Sequence, residues 1–287
     1  MTSPGASLRA SLRDQPPVVA PGVFDGLSAH LARRAGFAAV YASGGAIARS
    51  MGLPDLGLAG MAEVAGRLHE IVEAADCPVL ADGDTGHGTA LHVRRTVQTF
   101  ERVGLAGLHI EDQGFPKRCG HIEGKKLIPV AEMAGKIAAA VAARRDPDFV
   151  IVARTDAIAV EGFGAAMDRA RAYRDAGADL LFVEAAEDKA QVAEIPRRLG
   201  CPTMINMFRG GRTPFLPARQ LGKMGYSLVI VASDLQRAVI RAMTDVLAAI
   251  REDGDSGAVA DMLSPLPARD EAVGHDDWLA WAERFGG

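Results

Sequence analysis

A parallel (β/α)8 barrel is the fold the sequence predicts, and three observations predict it. Short apolar runs recur along almost the whole chain and alternate with longer stretches of helical periodicity. A weak repeat of helix, glycine and strand returns at RRAGFAAVYAS, ERVGLAGLHIED, RDAGADLLFVEA and GKMGYSLVIVAS. No strand candidate runs into the GxGxxG turn expected of a doubly wound sheet. Near-continuous apolar strands, each followed by a helix, belong to a parallel sheet covered by helices. About eight such units over roughly 240 residues suit a closed barrel.

In chain order the strand candidates are Val18–Gly22, Ala39–Ala42, Val79–Asp82, Gly107–Glu111, Val150–Arg154, Leu180–Glu184, Thr203–Asn206 and Leu228–Val231. Between them, His92–Val103 carries Val93, Val97 and Phe100 at helical spacing. Val130–Ala143 is Ala-rich, with Glu132 where the positive end of a helix dipole welcomes an acid. Ala165–Ala176 runs into Gly177, a C-cap signal. The pattern changes at Arg251: Glu252–Ala258 is a polar break, and Asp270–Phe285 reads as one extra helix bearing Trp278 and Trp281. That helix wants a surface, either its own barrel or a neighbouring subunit. Residues 1–287 are read as one barrel domain, with a core of about 18–250 and a helical extension of about 251–287.

Composition narrows the function classes. Charged residues make up 24 % and the net charge is −4, so a nucleic acid or an anionic membrane finds no basic face. No uncharged apolar run reaches the roughly 18–20 residues of a membrane span, and the first 17 residues show no apolar signal-peptide core. Cys77, Cys119 and Cys201 match neither a zinc spacing nor a disulfide framework, which points to a reducing cytoplasm. Cys77 and Cys201 each precede a proline at the start of an apolar run and read as buried filler.

Chemistry in such a barrel collects at the carboxyl ends of the strands, and these ends are polar. Asp82, Asp84, Glu111, Asp112 and Glu184 gather there. So many carboxylates repel one another unless a cation joins them. Asp82 and Asp84 sit two apart, which in an extended segment puts both on one side, and Glu111 can join from the next strand. Hard oxygen ligands without a required His or thiolate suit Mg²⁺ or Mn²⁺. Arg154 ends an apolar strand and needs an anion, either a barrel carboxylate or a substrate carboxylate held in a bidentate clamp. Ser43-Gly44-Gly45 is either a tight turn or a second anion cradle. Lys117-Arg118-Cys119-Gly120-His121 sets a thiol among cations beside an imidazole. It is either an exposed basic loop or a catalytic one, since positive neighbours lower a thiol's pKa.

The segments YASGGAIARSMGLPDLG, ADGDTGHG, GLHIEDQGFPKRCGH, ARTDA, FVEA and NMFRGGRTP, in this order from about Val18 to Met243, resemble the isocitrate lyase/phosphoenolpyruvate mutase superfamily. The resemblance implies a barrel whose last helix is exchanged between subunits, a homotetramer, an active site using Mg²⁺ and a small carboxylate substrate. It implies metal binding by Asp82 and Asp84, with Glu111 and Asp55 holding metal waters. It makes Ser43, Gly44 and Gly45 the carboxylate-binding turn, and Arg154 the substrate arginine. Glu184 and Asn206 line the pocket, Tyr41 bonds an oxyanion, Arg237 contacts substrate or the adjacent segment, and Cys119, flanked by Gly120 and His121, is the acid.

Two departures fall near the pocket. Arg209 stands where the superfamily's NMxEGG has an acid, and Val231-Ala232 stands before Ser233 where an aromatic-proline pair is usual. The implied activity is cleavage of the C2–C3 bond of a methylisocitrate- or dimethylmalate-like 2-hydroxy acid. The alternatives on one site are a phosphonate mutase and an oxaloacetate hydrolase or decarboxylase. A non-catalytic dicarboxylate binder is the alternative from outside enzymology.

Overall fold

The computed structural model describes residues 2–13, 16–122 and 124–286. Eight parallel strands close in sequence order: β1 (Val18–Val23), β2 (Val40–Ala42), β3 (Val79–Asp82), β4 (Gly107–Glu111), β5 (Val150–Thr155), β6 (Leu180–Val183), β7 (Thr203–Asn206) and β8 (Leu228–Val231). The ring is sealed where Val18 pairs with Leu228 and Ala20 with Ile230. The predicted barrel is therefore the observed one, with each strand bound within two residues of its expected limits.

Side chains alternate between two cores, as the period of a strand requires. Val79, Ala81, Leu108, Ile110, Ile151 and Ala153 point outward and pack under the helices. Val18, Ala20, Leu80, Val150, Val152, Leu180, Phe182, Met204, Leu228 and Ile230 point inward and fill the barrel. A helix over Pro4–Ser11, capped by Ser3, was not expected from the sequence. It brings the fully buried Leu8 into the inner core, closing the end of the barrel away from the loops.

The helices follow the expectations with shifts at their ends: Ala90–Val103, Val130–Ala143 and Phe163–Asp175. The tail needs correction. Asp234–Asp253 runs through the start of the expected polar break, and the single expected helix is two, Leu266–Glu271 and His275–Phe285, parted at Gly274. Trp278 and Trp281 are 74 % and 62 % exposed, so the chain's own barrel does not cover them. Cys77 and Cys201 are half-buried rather than core filler. Among the described residues no helix is long and apolar enough to cross a membrane.

Candidate active site

Strand parity carries the inner core directly into the site. Two residues beyond Leu80 lies Asp82; two beyond Val152 lies Arg154; two beyond Phe182 lies Glu184; two beyond Met204 lies Asn206. The register sets Asp82 beside His109 and Glu111 beside Arg154. A cavity of about 310 Å³ opens above this layer, and it collects most of the expected residues. Tyr41, Ser43, Gly45, Asp55, Asp82, Glu111, Cys119, Gly120, His121, Arg154, Glu184, Asn206 and Arg237 line it. Gly44 lies just behind, where a Cβ would come within 2.8 Å of Asp82 Cγ. A residue without a side chain is what lets this turn approach the acid.

Asp84 reaches the group by a different route from the one expected. β3 ends at Asp82, and Asp84 takes a left-handed backbone (φ 47°) with its N–H donating to Asp82 Oδ1 at 3.0 Å. Extended-strand parity therefore does not place the pair; a turn does. Asp84 faces a neighbouring cavity, lined also by His87 and Lys136, that shares Lys117 with the first.

Asp82 and Asp84, expected to bind a metal, and Glu111 and Asp55, expected to hold its waters, stand near one another with cations of the protein among them. Among the described residues no three of His, Cys, Asp and Glu are arranged to hold a metal ion. Two cations explain it. The Lys117 ammonium bridges Asp55 and Asp84, and Arg154 Nη1 draws Glu111 Oε2 to 3.3 Å. The donor chemistry still suits a hard dication. Glu111 Oε1 is buried with no hydrogen-bond partner among the described residues. Among the described residues, the six acids Asp55, Asp82, Asp84, Glu111, Asp156 and Glu184 share three Lys or Arg cations, Lys117, Lys125 and Arg154, with the His109 ring beside Asp82 and the His121 ring beside Glu184.

The imbalance shows in the titration of the group. Burial pushes Asp84 up to about 6 although Lys117 opposes it, and the Asp82 charge adds to the rise. Burial likewise lifts Glu111 well above the usual carboxylate range against the pull of Arg154. Asp82 goes the other way: burial works against its charge, but His109, Lys117 and Arg154 outweigh it. Burial carries the His109 imidazole down to about 4, against the pull of the Asp82 charge.

Arg154 answers the alternative left open for it by facing several anions at once. It grips Asp156 with Nε (3.0 Å) and Nη2 (3.1 Å), stands 3.8 Å from Glu184 Oε2, and lies 5.2 Å above the Phe182 ring. Burial would raise Glu184, but Arg154 and His121 hold it below the usual range. His121 Nδ1 accepts from the Arg212 N–H at 3.0 Å, so the other nitrogen carries the proton and faces Glu184 Oε1 at 3.0 Å. The Tyr41 hydroxyl lies 2.7 Å from His109 Nε2, and burial raises it well above the usual phenol value, so it stays protonated.

Cys119 reverses an expectation. Its cationic neighbour Lys117 is committed to carboxylates, and burial, the largest influence, pushes the thiol upward. The site holds a neutral thiol, suited to giving a proton rather than attacking as a thiolate.

The two departures differ in position. Arg209 lies over the Phe215 ring at 4.5 Å and outside the cavity, while Ala232 lines the wall with Phe208 and Ile240. Arg237 reaches back to the Arg209 carbonyl (2.5 Å) and to Asp234 Oδ1 (3.1 Å). The expected set missed Lys125, His109 and Asp156, and it took Lys117 for a neighbour of the thiol rather than of Asp55 and Asp84. Parity had marked His109, two residues before Glu111 on an inward face; no local pattern marked Lys125.

Comparison with known proteins agrees with this geometry. A family model described as phosphoenolpyruvate phosphomutase matches residues 8–251. The 2,3-dimethylmalate lyase of Eubacterium barkeri is 40 % identical over 270 residues, covering 94 % of this chain and 93 % of the relative. The 2-methylisocitrate lyase of Aeropyrum pernix is 43 % identical over 275 residues, covering 96 % and 89 %. A solved phosphonopyruvate hydrolase in complex with oxalate and Mg²⁺ superposes with a TM-score of 0.88 at 31 % identity, covering all of both chains. With the barrel, the acid-rich mouth and these likenesses together, the chain belongs to the isocitrate lyase/phosphoenolpyruvate mutase superfamily.

Proposed function

We propose that the protein is a Mg²⁺-dependent carbon–carbon lyase. It cleaves the C2–C3 bond of a 2-hydroxy di- or tricarboxylate of the methylisocitrate or dimethylmalate kind, giving a 2-oxo acid and a second carboxylic acid. The observation that carries this reading is the Cys119 thiol lining a cavity rich in buried carboxylates. Lyase relatives at about 40 % identity support it.

Asp55, Asp82, Asp84 and Glu111 would hold the ion, whose chemistry is to polarise the oxygen at C2. Arg154 and the backbone of Ser43, Gly44 and Gly45 bind substrate carboxylate, with Gly120, Glu184, Asn206 and Arg237 lining the rest of the pocket. The 2-hydroxyl proton passes to a base of the pocket as the C2–C3 bond breaks. Tyr41 donates a hydrogen bond to the developing oxyanion. The bond's electron pair settles on C3, and Cys119 gives C3 its proton, with His121 beside it keeping Glu184 ionised. Three free cysteines support a reducing compartment, the cytoplasm.

The chain forms one barrel domain, about 18–250, and its extension of about 251–287 packs on a partner subunit in a homotetramer. The exposed Trp278 and Trp281 support that packing.

A panel of methylisocitrate, dimethylmalate, oxaloacetate and phosphonopyruvate, each with Mg²⁺ and read by NMR, tests the reaction. Phosphonopyruvate turnover without carbon–carbon cleavage would replace the lyase reading with a mutase or hydrolase.

A further inference from the structure

Lys125 is the residue of this site that no sequence pattern marked. Its side chain is 1 % exposed, and its ammonium lies 3.1 Å from Oδ1 of Asp156, whose side chain is wholly buried. It also donates to the carbonyl of Gly120. Asp156 is the carboxylate that grips Arg154 with both oxygens. Gly120 joins Cys119 to His121, and it rests directly on this network. A Cβ there would come within 2.4 Å of Arg154 Nη2 and 2.6 Å of Glu184 Cγ.

An ammonium buried this deeply is a poor choice for stability alone. An apolar side chain of similar volume usually serves a core as well or better than a buried ion pair. The ammonium does what an apolar group cannot, because it joins a loop carbonyl to a barrel carboxylate. We infer that Lys125 is a positioning residue: by tying the Gly120 carbonyl to Asp156, it seats the Cys119 thiol over the arginine that Asp156 aligns. The loop and Arg154 are then set by one shared carboxylate. This inference rests on the reading of Cys119 as the acid, but its main test does not require turnover.

That test is alkylation of the full-length protein by iodoacetamide, with each cysteine followed by peptide mass spectrometry, in wild type, Lys125→Met and Lys125→Gln. Circular dichroism confirms folding. In folded Lys125→Met, Cys119 is expected to react about tenfold faster while Cys77 and Cys201 keep their rates. On the substrate found by the panel, kcat is expected to fall about 10²-fold, the cost of a small misplacement, with KM within a few-fold. Lys125→Gln, which keeps a donor, is expected to lie between the two. Unchanged Cys119 alkylation in a folded variant overturns the inference. So does failure of both variants to fold, which would make Lys125 a residue of stability. Faster alkylation in a protein inert across the panel would uphold the seating role while removing the lyase reading.

Discussion

At the scale of single residues, the site is a contest between burial and pairing. Each carboxylate at the barrel mouth loses water, and contact with one cation does not by itself decide the outcome: Asp82 and Glu184 stay firmly ionised, whereas burial carries Asp84 upward beside Lys117 and Glu111 upward beside Arg154. Cys119 shows why residue order misleads. Four of the five residues of KRCGH are polar or cationic around the thiol or flexible beside it, which suggests activation. In three dimensions Lys117 turns away to Asp55 and Asp84, and desolvation governs the thiol.

Two outcomes follow from that neutral thiol. Cys119→Ser is expected to lower kcat about 10²–10³-fold, the range of a lost general acid, with KM little changed in steady-state assays. The acid works only while protonated, and its pKa is raised. Activity limited by this group should therefore persist through the ordinary thiol range and fall only at more alkaline pH. A pH–rate profile checks this, and an alkaline limb below that range would contradict it. Lewis-acid dependence has its own check. Asp82→Ala is expected to abolish activity that added Mg²⁺ otherwise restores after chelation, while circular dichroism stays unchanged.

At the scale of elements, strand parity was the most legible feature of the sequence. The alternation that fills the barrel with Leu80, Val152, Phe182 and Met204 continues into Asp82, Arg154, Glu184 and Asn206 without a break. Elements fixed by distant contacts were less legible. The helix over Pro4–Ser11 is short and weakly patterned, and its place is set by Leu8 entering the inner core and by Arg9 pairing with Asp179. Asp84 was assigned by the rule for extended chain, but the backbone had already turned. Lys125 acts through a residue 31 positions away, which no local window contains. Leu8→Ala tests whether the N-terminal helix belongs to the core. Removing a fully buried leucine costs about 2–5 kcal/mol, to be read as a lower urea midpoint with unchanged slope.

At the scale of the whole molecule, the barrel is self-sufficient and the extension is not. The inner and outer cores are closed by the chain itself, yet Leu266, Trp278, Leu279, Trp281 and Phe285 remain exposed. Apolar area of this kind marks an interaction surface, and a second copy of the chain is its proposed occupant. Trp278→Ala combined with Trp281→Ala is expected to shift the protein to smaller assemblies in sedimentation velocity, while far-ultraviolet dichroism is retained. A wild-type protein that sediments as a monomer would refute the tetramer.

The chemistry is also a property of the whole, because its groups come from strands β2 to β7 and from the loop after β4. Its most direct test is proton NMR of the purified protein with methylisocitrate and dimethylmalate, run with Mg²⁺ and then with excess chelator. The expected result is a 2-oxo acid and a second carboxylic acid growing in equal amounts from one of them, stopping on chelation and resuming when Mg²⁺ is restored. Cleavage that continues undiminished in chelator, or no cleavage of either compound with Mg²⁺ present, would contradict the account.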